Sequence, residues 1–472
     1  MALNLLLQDP FSVLKEYPET LTNVLESPFY SVCLKFSPCG DYLATGCGNG
    51  AIIIYDMDTY KPIKMLGNNN LGCNLTGHVS PIQSIEWSNC GRYLLTSSRD
   101  CTIKLWDLAC NSGTKCNCCE YRFDSFPWKT SFIPNCVDKC FVCVFEEHLP
   151  FILDFGVNNN NNKPEIYPII DTEDFLNKEN EQLLLIDDIE LKKYGFTLSL
   201  CTCELQQQGS ASSNILITGT SKGYITVFQQ ITNDSSQKLH YKITKIDKLA
   251  NSTIKNIIVS QSMSKMCINS SDRTIRQYEI LISSDSATPV FEIIELQHKY
   301  QDVINKLQWN HIALGPNTGE YLVASPHGST ARDLYLWETT TGSLVRVLEG
   351  AADEELLCID WNYYNMCIAS NSLESGNIYI WSIIVPPKWS ALAPDFEEID
   401  ENVVYIEKED EFDDIVDVDE EKRQQWNKEQ DIDLITRERY DVRGNDLGVE
   451  KFVIPVDYTD IIMMLHPSNR GD

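Results

Sequence analysis

A short pattern recurs seven times in this chain: a run of alternating apolar residues that ends on an aromatic residue, often followed by an acid. The copies are AIIIYD (Ala51–Asp56), TIKLWD (Thr102–Asp107), PFILDF (Pro150–Phe155), YITVF (Tyr224–Phe228), TIRQYE (Thr274–Glu279), DLYLWE (Asp333–Glu338) and NIYIWS (Asn377–Ser382). Alternation inside each copy predicts a strand, and regular recurrence of one strand motif is typical of repeat architectures. The pattern therefore predicts an all-β fold, a seven-bladed β-propeller.

The second repeat shows best how one blade is built. Its predicted strands are Ile82–Trp87, Arg92–Ser98, Thr102–Asp107 and roughly Glu120–Phe123, with Arg99–Asp100 as the tight turn between the second and third strands. His78 precedes this turn, and Trp106 closes the third strand. In WD40 blades such a His–Asp–Trp set forms a buried hydrogen-bond network, so we interpret His78 as structural rather than catalytic. The predicted fold is thus a WD40 propeller.

The last repeat has only three strands of its own. Leu356–Trp361, Met366–Asn371 and Asn377–Ser382 alternate as strands, but Pro386–Pro387 follows, and proline cannot continue a strand ladder. The N-terminal stretch Leu21–Glu26 is the predicted fourth strand. Pairing it with the last blade would close the ring and leave no open sheet edge.

Composition divides the chain into four predicted segments. Asp395–Asp433 holds 18 acids and 4 bases, a net charge of −14, which marks a tail distinct from the propeller. Large apolar residues lie singly among these acids, as in an extended peptide that folds onto partners, with a solvated acidic linker as the alternative. The last stretch regains strand character and would either dock back on the propeller or add to a partner's sheet. The predicted segments are an N-terminal arm (1–19), the propeller (20–385, with an Asn-rich and acidic insert at 156–193), a partner-binding tail (386–421) and a C-terminal extension (422–472).

Several classes of protein are disfavoured by the same composition. No apolar run is long enough for a transmembrane helix, and the start is a poor signal peptide, so we expect an intracellular, reduced chain. Cys33, Cys143, Cys267, Cys358 and Cys367 lie in strand-like runs, where cysteine behaves as a small hydrophobe. The net charge of −30 argues against binding nucleic acid with the whole surface.

Metal and cofactor chemistry finds little support. The cluster Cys116, Cys118 and Cys119 lacks a matching ligand pair, so a cysteine-rich loop is favoured over a zinc site. The chain has seven scattered histidines and no nucleophile motif, which disfavours an enzyme. We expect no metal, no cofactor and no membrane partner.

Taken in order, the pieces of the chain resemble one family. The matching stretches are LLLQDPFSVLKEYPETL, CLKFSPCGDYLATGCGNGAIIIYDMDT, SSRDCTIKLWDL, SSDRTIRQYEI, HKYQDVINKLQW, LVRVLEG and PPKWSALAPDFEEIDENVVY. They resemble the WD40 subunit of COMPASS, the SET-domain complex that methylates lysine 4 of histone H3. That subunit is called Swd-one in fungi and retinoblastoma-binding-protein-five in animals. VRGNDLGVEKFVIPVDYTDII resembles the fungal form. The chain departs from the family in blade 3, in the Asn-rich insert and at Asn89–Cys90–Gly91.

The resemblance implies a non-catalytic, nuclear, chromatin-associated scaffold that activates the methyltransferase. Residues 389–402 would be the activation segment on the SET domain, through Trp389, Ala393, Pro394, Asp395 and Phe396. Residues 403–414 would bind a SPRY-domain subunit, through Tyr405, Glu407, Glu409, Asp410, Glu411, Phe412 and Asp413. Residues 415–419 would bind a second WD40 propeller, through Val416, Asp417 and Val418. Nucleosomal DNA would contact Arg273, Arg276, Lys306 and Arg332.

Two alternatives stay open, one for the function of the chain and one for its basic residues. A generic WD40 adaptor, such as a substrate receptor of a ubiquitin ligase, would share the propeller but not copurify with a SET-domain protein. The four basic residues could equally be ordinary surface charges paired with local acids.

Overall fold

The computed structural model describes residues 17–67, 77–110, 117–156, 164–170, 193–205, 213–231, 239–283, 290–302, 306–328, 333–349, 354–383 and 451–456. These residues belong to one compact unit. They form seven four-stranded antiparallel sheets, which are the blades of a propeller. The predicted fold class is confirmed.

The strands of blades 1 to 4 follow one another along the chain. They are β2 (Ser31–Phe36), β3 (Tyr42–Cys47), β4 (Ile52–Asp56) and β5 (Lys61–Leu66) in blade 1; β6 (Ile82–Trp87), β7 (Tyr93–Ser98), β8 (Thr102–Asp107) and β9 (Asn117–Arg122) in blade 2; β10 (Pro127–Phe132), β11 (Lys139–Val144), β12 (Phe151–Asp154) and β13 (Glu165–Pro168) in blade 3; β14 (Thr197–Leu205), β15 (Ser213–Thr220), β16 (Tyr224–Ile231) and β17 (His240–Lys248) in blade 4.

Blades 5 and 6 repeat this order, and blade 7 combines both ends of the propeller. The strands are β18 (Ile254–Val259), β19 (Lys265–Ser270), β20 (Ile275–Ser283) and β21 (Val290–Tyr300) in blade 5; β22 (Gln308–Leu314), β23 (Tyr321–His327), β24 (Leu334–Glu338) and β25 (Leu344–Leu348) in blade 6; β26 (Leu356–Asn362), β27 (Cys367–Ser372), β28 (Ile378–Ser382) and β1 (Thr20–Leu25) in blade 7. All seven recurring motifs lie on third strands.

The ring closes through the N-terminal strand, as predicted. β1 pairs antiparallel with β28, and Thr20 lies opposite Ser382 while Leu25 lies opposite Ile378. The first strand of each blade contacts the first strands of its two neighbours, so these strands surround the axis. We call the side of the ring with the turns between second and third strands the upper face, and the side with the turns between first and second strands the lower face.

The apolar character of the third strands follows from where they lie. Every residue of β8 is buried, because neighbouring blades cover both faces of a middle strand. The core consists of clusters between adjacent blades; one of them joins Ile54 of blade 1 to Trp87 and Leu94 of blade 2. Outer strands such as β17 are only partly buried. Middle strands therefore carry the repeat signal, and outer strands do not.

The upper-face turns are tight enough to require particular backbone conformations. Gly50 has φ of +87°, and a Cβ there would lie 2.2 Å from the carbonyl oxygen of His78 in the next connection. Gly223 repeats this relation with the carbonyl oxygen of Ala250, at 2.1 Å. Only glycine tolerates both the positive φ and the close approach. These turns therefore pack closely against the backbone of the connection that leads into the next blade.

The His–Asp–Trp set of blade 2 forms the expected buried network. His78 Nδ1 lies 3.0 Å from Asp100 Oδ2, and Trp106 Nε1 donates to Thr96 Oγ1 at 2.9 Å. Thr96 Oγ1 is in turn 2.8 Å from His78 Nε2. Because the Asp100 carboxylate can only accept, a neutral imidazole donates to it from Nδ1 and accepts at Nε2 from the Thr96 hydroxyl. Thr96 links the other side chains, although the sequence pattern did not single it out.

Ionisation in this network is fixed by its surroundings. Burial lowers the pKa of His78, which keeps the imidazole neutral. Burial alone would raise the pKa of Asp100, but hydrogen bonds from His78, Thr102 and the Val79 amide outweigh it and hold that pKa well below its usual range. His78 is therefore a structural residue, as interpreted from the sequence.

Blade 3 differs from the expectation for its insert. Part of the stretch assigned to the insert, Glu165–Pro168, is β13, the outer strand of the blade, with Ile166 opposite Leu153. The Asn tract Asn158–Asn162 lies outside the described residues. Residues 164–170 thus belong to the propeller rather than to an insert.

Candidate interaction surfaces

The tail residues singled out from the sequence lie outside the described part of the chain. This holds for the activation segment (Trp389, Ala393, Pro394, Asp395, Phe396), for the SPRY-binding set (Tyr405, Glu407, Glu409, Asp410, Glu411, Phe412, Asp413) and for Val416, Asp417 and Val418. Arg332 also lies outside it. The remaining candidates, Arg273, Arg276 and Lys306, lie on the propeller.

Two of the proposed DNA-contacting residues lie on the upper face. Arg273 occupies the turn between β19 and β20, and Lys306 precedes β22 in the connection from blade 5. Both residues are exposed. Trp309 Nε1 donates to the Arg273 carbonyl oxygen at 3.2 Å, which anchors the turn of blade 5 to the first strand of blade 6. Among the described residues, no carboxylate pairs with either basic side chain. Their charges are available at this face.

Arg276 has a different environment. Its guanidinium forms an ion pair with Asp272 and donates from Nη1 to Ser270 Oγ at 2.6 Å. Burial would raise the pKa of Asp272, but hydrogen bonds from Arg276, Ser270 and Thr274 outweigh it, so this pKa lies well below its usual range. The arginine is therefore neutralised locally and holds its own turn. For Arg276 the structure favours the alternative of an ordinary paired charge.

A cavity of about 230 Å³ lies on the axis, lined by first-strand residues that include Lys35, Glu86, Lys129 and Asp360. Lys35 Nζ lies 2.9 Å from Asp360 Oδ1, and the Phe36 amide donates to Asp360 Oδ2 at 2.8 Å. Desolvation opposes the charge on Lys35, but Asp360 and Glu86 outweigh it and raise its pKa. Two lysines thus face two carboxylates, and their charges offset one another.

His311 lines the same cavity. Burial lowers the pKa of His311 to about 3, and the nearby Lys129 and Lys35 act in the same direction. The imidazole is therefore neutral at neutral pH. In the described residues the cavity shows a balanced, ion-paired lining.

The lower face carries a segment from the far end of the chain. Residues Lys451–Val456 lie across blades 1 and 2, where Lys451 Nζ is 2.9 Å from Asp41 Oδ1. Ile454 is only 2% exposed and belongs to the cluster between the two blades. Of the two fates expected for the C-terminal stretch, docking back on the propeller holds for these residues.

The described residues offer little for metal chemistry. No group of three or more His, Cys, Asp and Glu side chains converges there as a metal site would require. Cys119 Sγ lies 3.8 Å from the Phe155 carbonyl oxygen, and burial raises the pKa of this thiol; Cys116 lies outside the described ranges. In the same part of the chain, no helix has the length and apolar character needed to cross a membrane.

Comparison with known proteins agrees with this fold. The model of the WD domain, G-beta repeat family matches residues 20–56 and 69–107. A solved structure, the Cps50 (Swd1) β-propeller domain of Myceliophteria thermophila, superposes with a TM-score of 0.60 at 29% identity. It covers 78% of this chain and 100% of that one.

Curated relatives match over nearly the whole chain. COMPASS component SWD1 of Saccharomyces cerevisiae is 49% identical over 462 residues, covering 98% of this chain and 99% of the relative. Set1 complex component swd1 of Schizosaccharomyces pombe is 34% identical, covering 87% and 90%. The retinoblastoma-binding protein 5 homolog of Drosophila melanogaster is 29% identical, covering 87% and 72%. The chain therefore belongs to the Swd1 and retinoblastoma-binding protein 5 family of WD40 propeller proteins.

Proposed function

We propose that this protein is the non-catalytic WD40 scaffold of a COMPASS-type histone H3 lysine 4 methyltransferase complex, acting on chromatin in the nucleus. One observation carries this proposal. The identity of 49% to a COMPASS component spans 98% of the chain, so it extends through the tail as well as the propeller. A shared fold alone would be weak support, since propellers serve many functions.

Activation is assigned to the tail. Residues 389–402 would pack on the SET domain, with Trp389 and Phe396 as large apolar anchors. An anchor that binds the active arrangement of a mobile domain more tightly than the inactive one raises turnover by shifting populations. The propeller would hold this segment, and another subunit would supply the catalytic groups.

The rest of the tail would bind two other subunits and so hold the complex together. Residues 403–414 combine acids with Tyr405 and Phe412, which suits a basic groove with apolar pockets on a SPRY-domain subunit. Val416 and Val418 flank Asp417 and would enter pockets of a second propeller. Electrostatic attraction would speed the first encounter, and the apolar anchors would set residence time.

DNA contact is assigned to the upper face, through Arg273 and Lys306. Both are exposed on one side of the ring, in a protein whose net charge is −30. A local basic site on an acidic protein directs nucleic acid to one surface. Arg276 is left out of this site because Asp272 neutralises it.

The test is reconstitution with and without residues 386–421. The full chain should copurify with a SET-domain methyltransferase and stimulate methylation of histone H3 lysine 4. The internal deletion should lose stimulation while its propeller melts like that of the full chain. A variant in which Asn158–Asn162 are replaced by serines serves as the control and should stimulate normally. Equal stimulation by the deletion variant would contradict the proposal.

A further inference from the structure

The lower face of the propeller holds a groove between blades 1 and 2 that is filled by the chain's own Lys451–Val456. One wall is the start of β3: Asp41 pairs with Lys451, and Tyr42 Oη accepts a hydrogen bond from the Ile454 amide at 3.3 Å. The partners in these two contacts are separated by 410 and 412 positions in the sequence. The groove thus binds a segment that is distant from it in the sequence.

Burial alternates along the bound segment. Phe452 and Ile454 face the propeller, and Ile454 is 2% exposed, whereas Val453 is 75% exposed. Alternation of this kind shows that the segment lies extended, with every second side chain inserted. Pro455 follows the buried isoleucine, and proline favours an extended backbone in the residue before it.

The opposite wall comes from blade 2. Phe452 passes beside the turn before β7, where a Cβ built on Gly91 would lie 3.9 Å from the Phe452 Cβ. Ile454 joins the cluster that contains Trp87 and Leu94. Residues of both blades therefore contact the same short segment.

The contacts depend on side chains rather than on a strand ladder. No strand pairs with residues 451–456 among the described elements, and the polar contacts pass through the Asp41 and Tyr42 side chains. Recognition through side chains selects sequence, whereas addition of a strand to a sheet edge selects mainly backbone shape. The order required is a basic residue, then an aromatic residue, then an aliphatic residue two positions on, followed by proline.

We propose that this groove is a peptide-binding site of the propeller, specific for an extended basic–aromatic–x–aliphatic–proline sequence and occupied in cis by Lys451–Pro455. Occupancy attaches the chain to the propeller on both sides of residues 384–450. A segment held at both ends reaches at most about half as far from its anchors as one held at a single end. The groove therefore limits where the intervening residues can act.

The experiment releases the segment within the full-length chain and offers the same sequence in trans. Phe452→Ala with Ile454→Asp removes both inserted side chains. A fluorescent peptide of residues 449–458 should bind this variant and should not bind the wild-type chain, whose groove is filled. Fluorescence anisotropy measures both, without any partner protein, so the result is independent of the proposed function.

Matched variants identify the site. Val453→Ala changes an exposed side chain of the same segment and should leave the groove closed to the peptide. Adding Asp41→Asn to the released variant should weaken peptide binding by about two- to fivefold, the effect expected of a partly exposed ion pair. Absence of peptide binding by a released variant that melts like the wild type would overturn the proposal, as would equal binding by the wild type.

A second measurement covers the case in which the released variant fails to fold. Tyr42→Phe keeps the aromatic side chain and removes only the hydroxyl that accepts a hydrogen bond from the Ile454 amide. Hydrogen exchange should show this amide protected in the wild type and exchanging at least tenfold faster in Tyr42→Phe. An unprotected Ile454 amide in the wild-type chain would overturn the proposal.

Discussion

Thr22 Oγ1 donates a hydrogen bond to the carbonyl oxygen of Ile380 at 3.2 Å, although 358 positions separate the two residues in the sequence. The contact lies within the pair of strands that closes the ring, β1 and β28. It makes the first described strand part of the last blade. The free energy of unfolding of the propeller therefore depends on the pairing of β1 with β28.

Ring closure predicts a difference between neighbouring residues of β1. Leu25 is 5% exposed in the cluster between blades 7 and 1, whereas Val24 is 46% exposed. Leu25→Ala should lower the free energy of unfolding by about 2–5 kcal/mol, the usual cost of truncating a buried leucine. Val24→Ala should change it by about 0.5 kcal/mol or less. Urea denaturation measures both, and a Leu25→Ala effect as small as that of Val24→Ala would contradict the role of β1 in closing the ring.

His311 predicts a pH dependence of stability. Its folded pKa is about 3, whereas a histidine in an unfolded chain has a pKa of about 6.5. Between these values the unfolded state binds a proton that the folded state does not, so the free energy of unfolding falls as the pH falls from about 6.5 to about 3. When the pH is lowered from about 7 to about 5, the Tm of His311→Gln should therefore decrease less than the Tm of the wild type.

The matched control for this prediction is His298→Gln. His298 lies on the outer strand of blade 5, away from the axial cavity, so its variant controls for the loss of an imidazole elsewhere in the propeller. An unchanged pH dependence in His311→Gln would contradict the assignment.

The upper face predicts a substrate-specific defect. Arg273→Glu with Lys306→Glu should reduce methylation of nucleosomes and spare methylation of a free histone peptide. The salt slope of nucleosome binding should fall by about 1 for each phosphate that the variant no longer binds. Arg276→Gln should instead lower the Tm and leave the ratio of the two activities unchanged. Equal loss on nucleosome and peptide would indicate damaged assembly rather than impaired DNA binding.

The acidic part of the tail predicts a salt effect. Replacing Glu407, Glu409, Asp410, Glu411 and Asp413 by amides should weaken binding to the SPRY subunit and flatten its salt dependence. The reason is screening, because the Debye length shrinks from ~10 Å at 0.1 M salt to ~3 Å at 1 M. Amide substitution of Glu429, Asp431 and Asp433 is the control for loss of charge alone. Unchanged affinity in the first variant would exclude the acids from the interface.

The activation segment predicts a loss of stimulation without loss of assembly. Trp389→Ala and Phe396→Ala should each cost about 2 kcal/mol or more of binding, as interface anchors do. The double variant should keep a folded propeller and bind the second propeller through Val416 and Val418. Methylation assays should show stimulation abolished. Normal stimulation at saturation would mean that the segment is only a tether.

Sequence reasoning succeeded where the signal was local. Third strands were predictable because burial on both faces makes them continuously apolar, and Pro386–Pro387 showed that blade 7 needed a strand from elsewhere. β13 was missed since it is four residues long, ends on Pro168 and follows an asparagine tract. A short outer strand that is only partly buried leaves little pattern to read.

The surfaces were less predictable because they depend on contacts between distant residues. Whether Arg276 is available depends on the position of Asp272 within a turn, which composition does not reveal. The docking of Ile454 depends on a groove built by two blades far from it in sequence. The link from Thr96 to His78 was missed for a simpler reason, since a strand threonine has no distinctive local pattern.

Closure by the first strand also means that β1 must wait for its partner strand during translation. Thr20–Leu25 emerges from the ribosome early, and its partner Ile378–Ser382 is among the last parts of the ring to be translated. At about 5–20 residues per second, the wait is roughly 20–70 s. During that interval the strand has unpaired backbone groups, which invite pairing with other nascent chains. A message truncated before the seventh repeat would thus yield a ring that cannot close and a strand edge that stays open to aggregation.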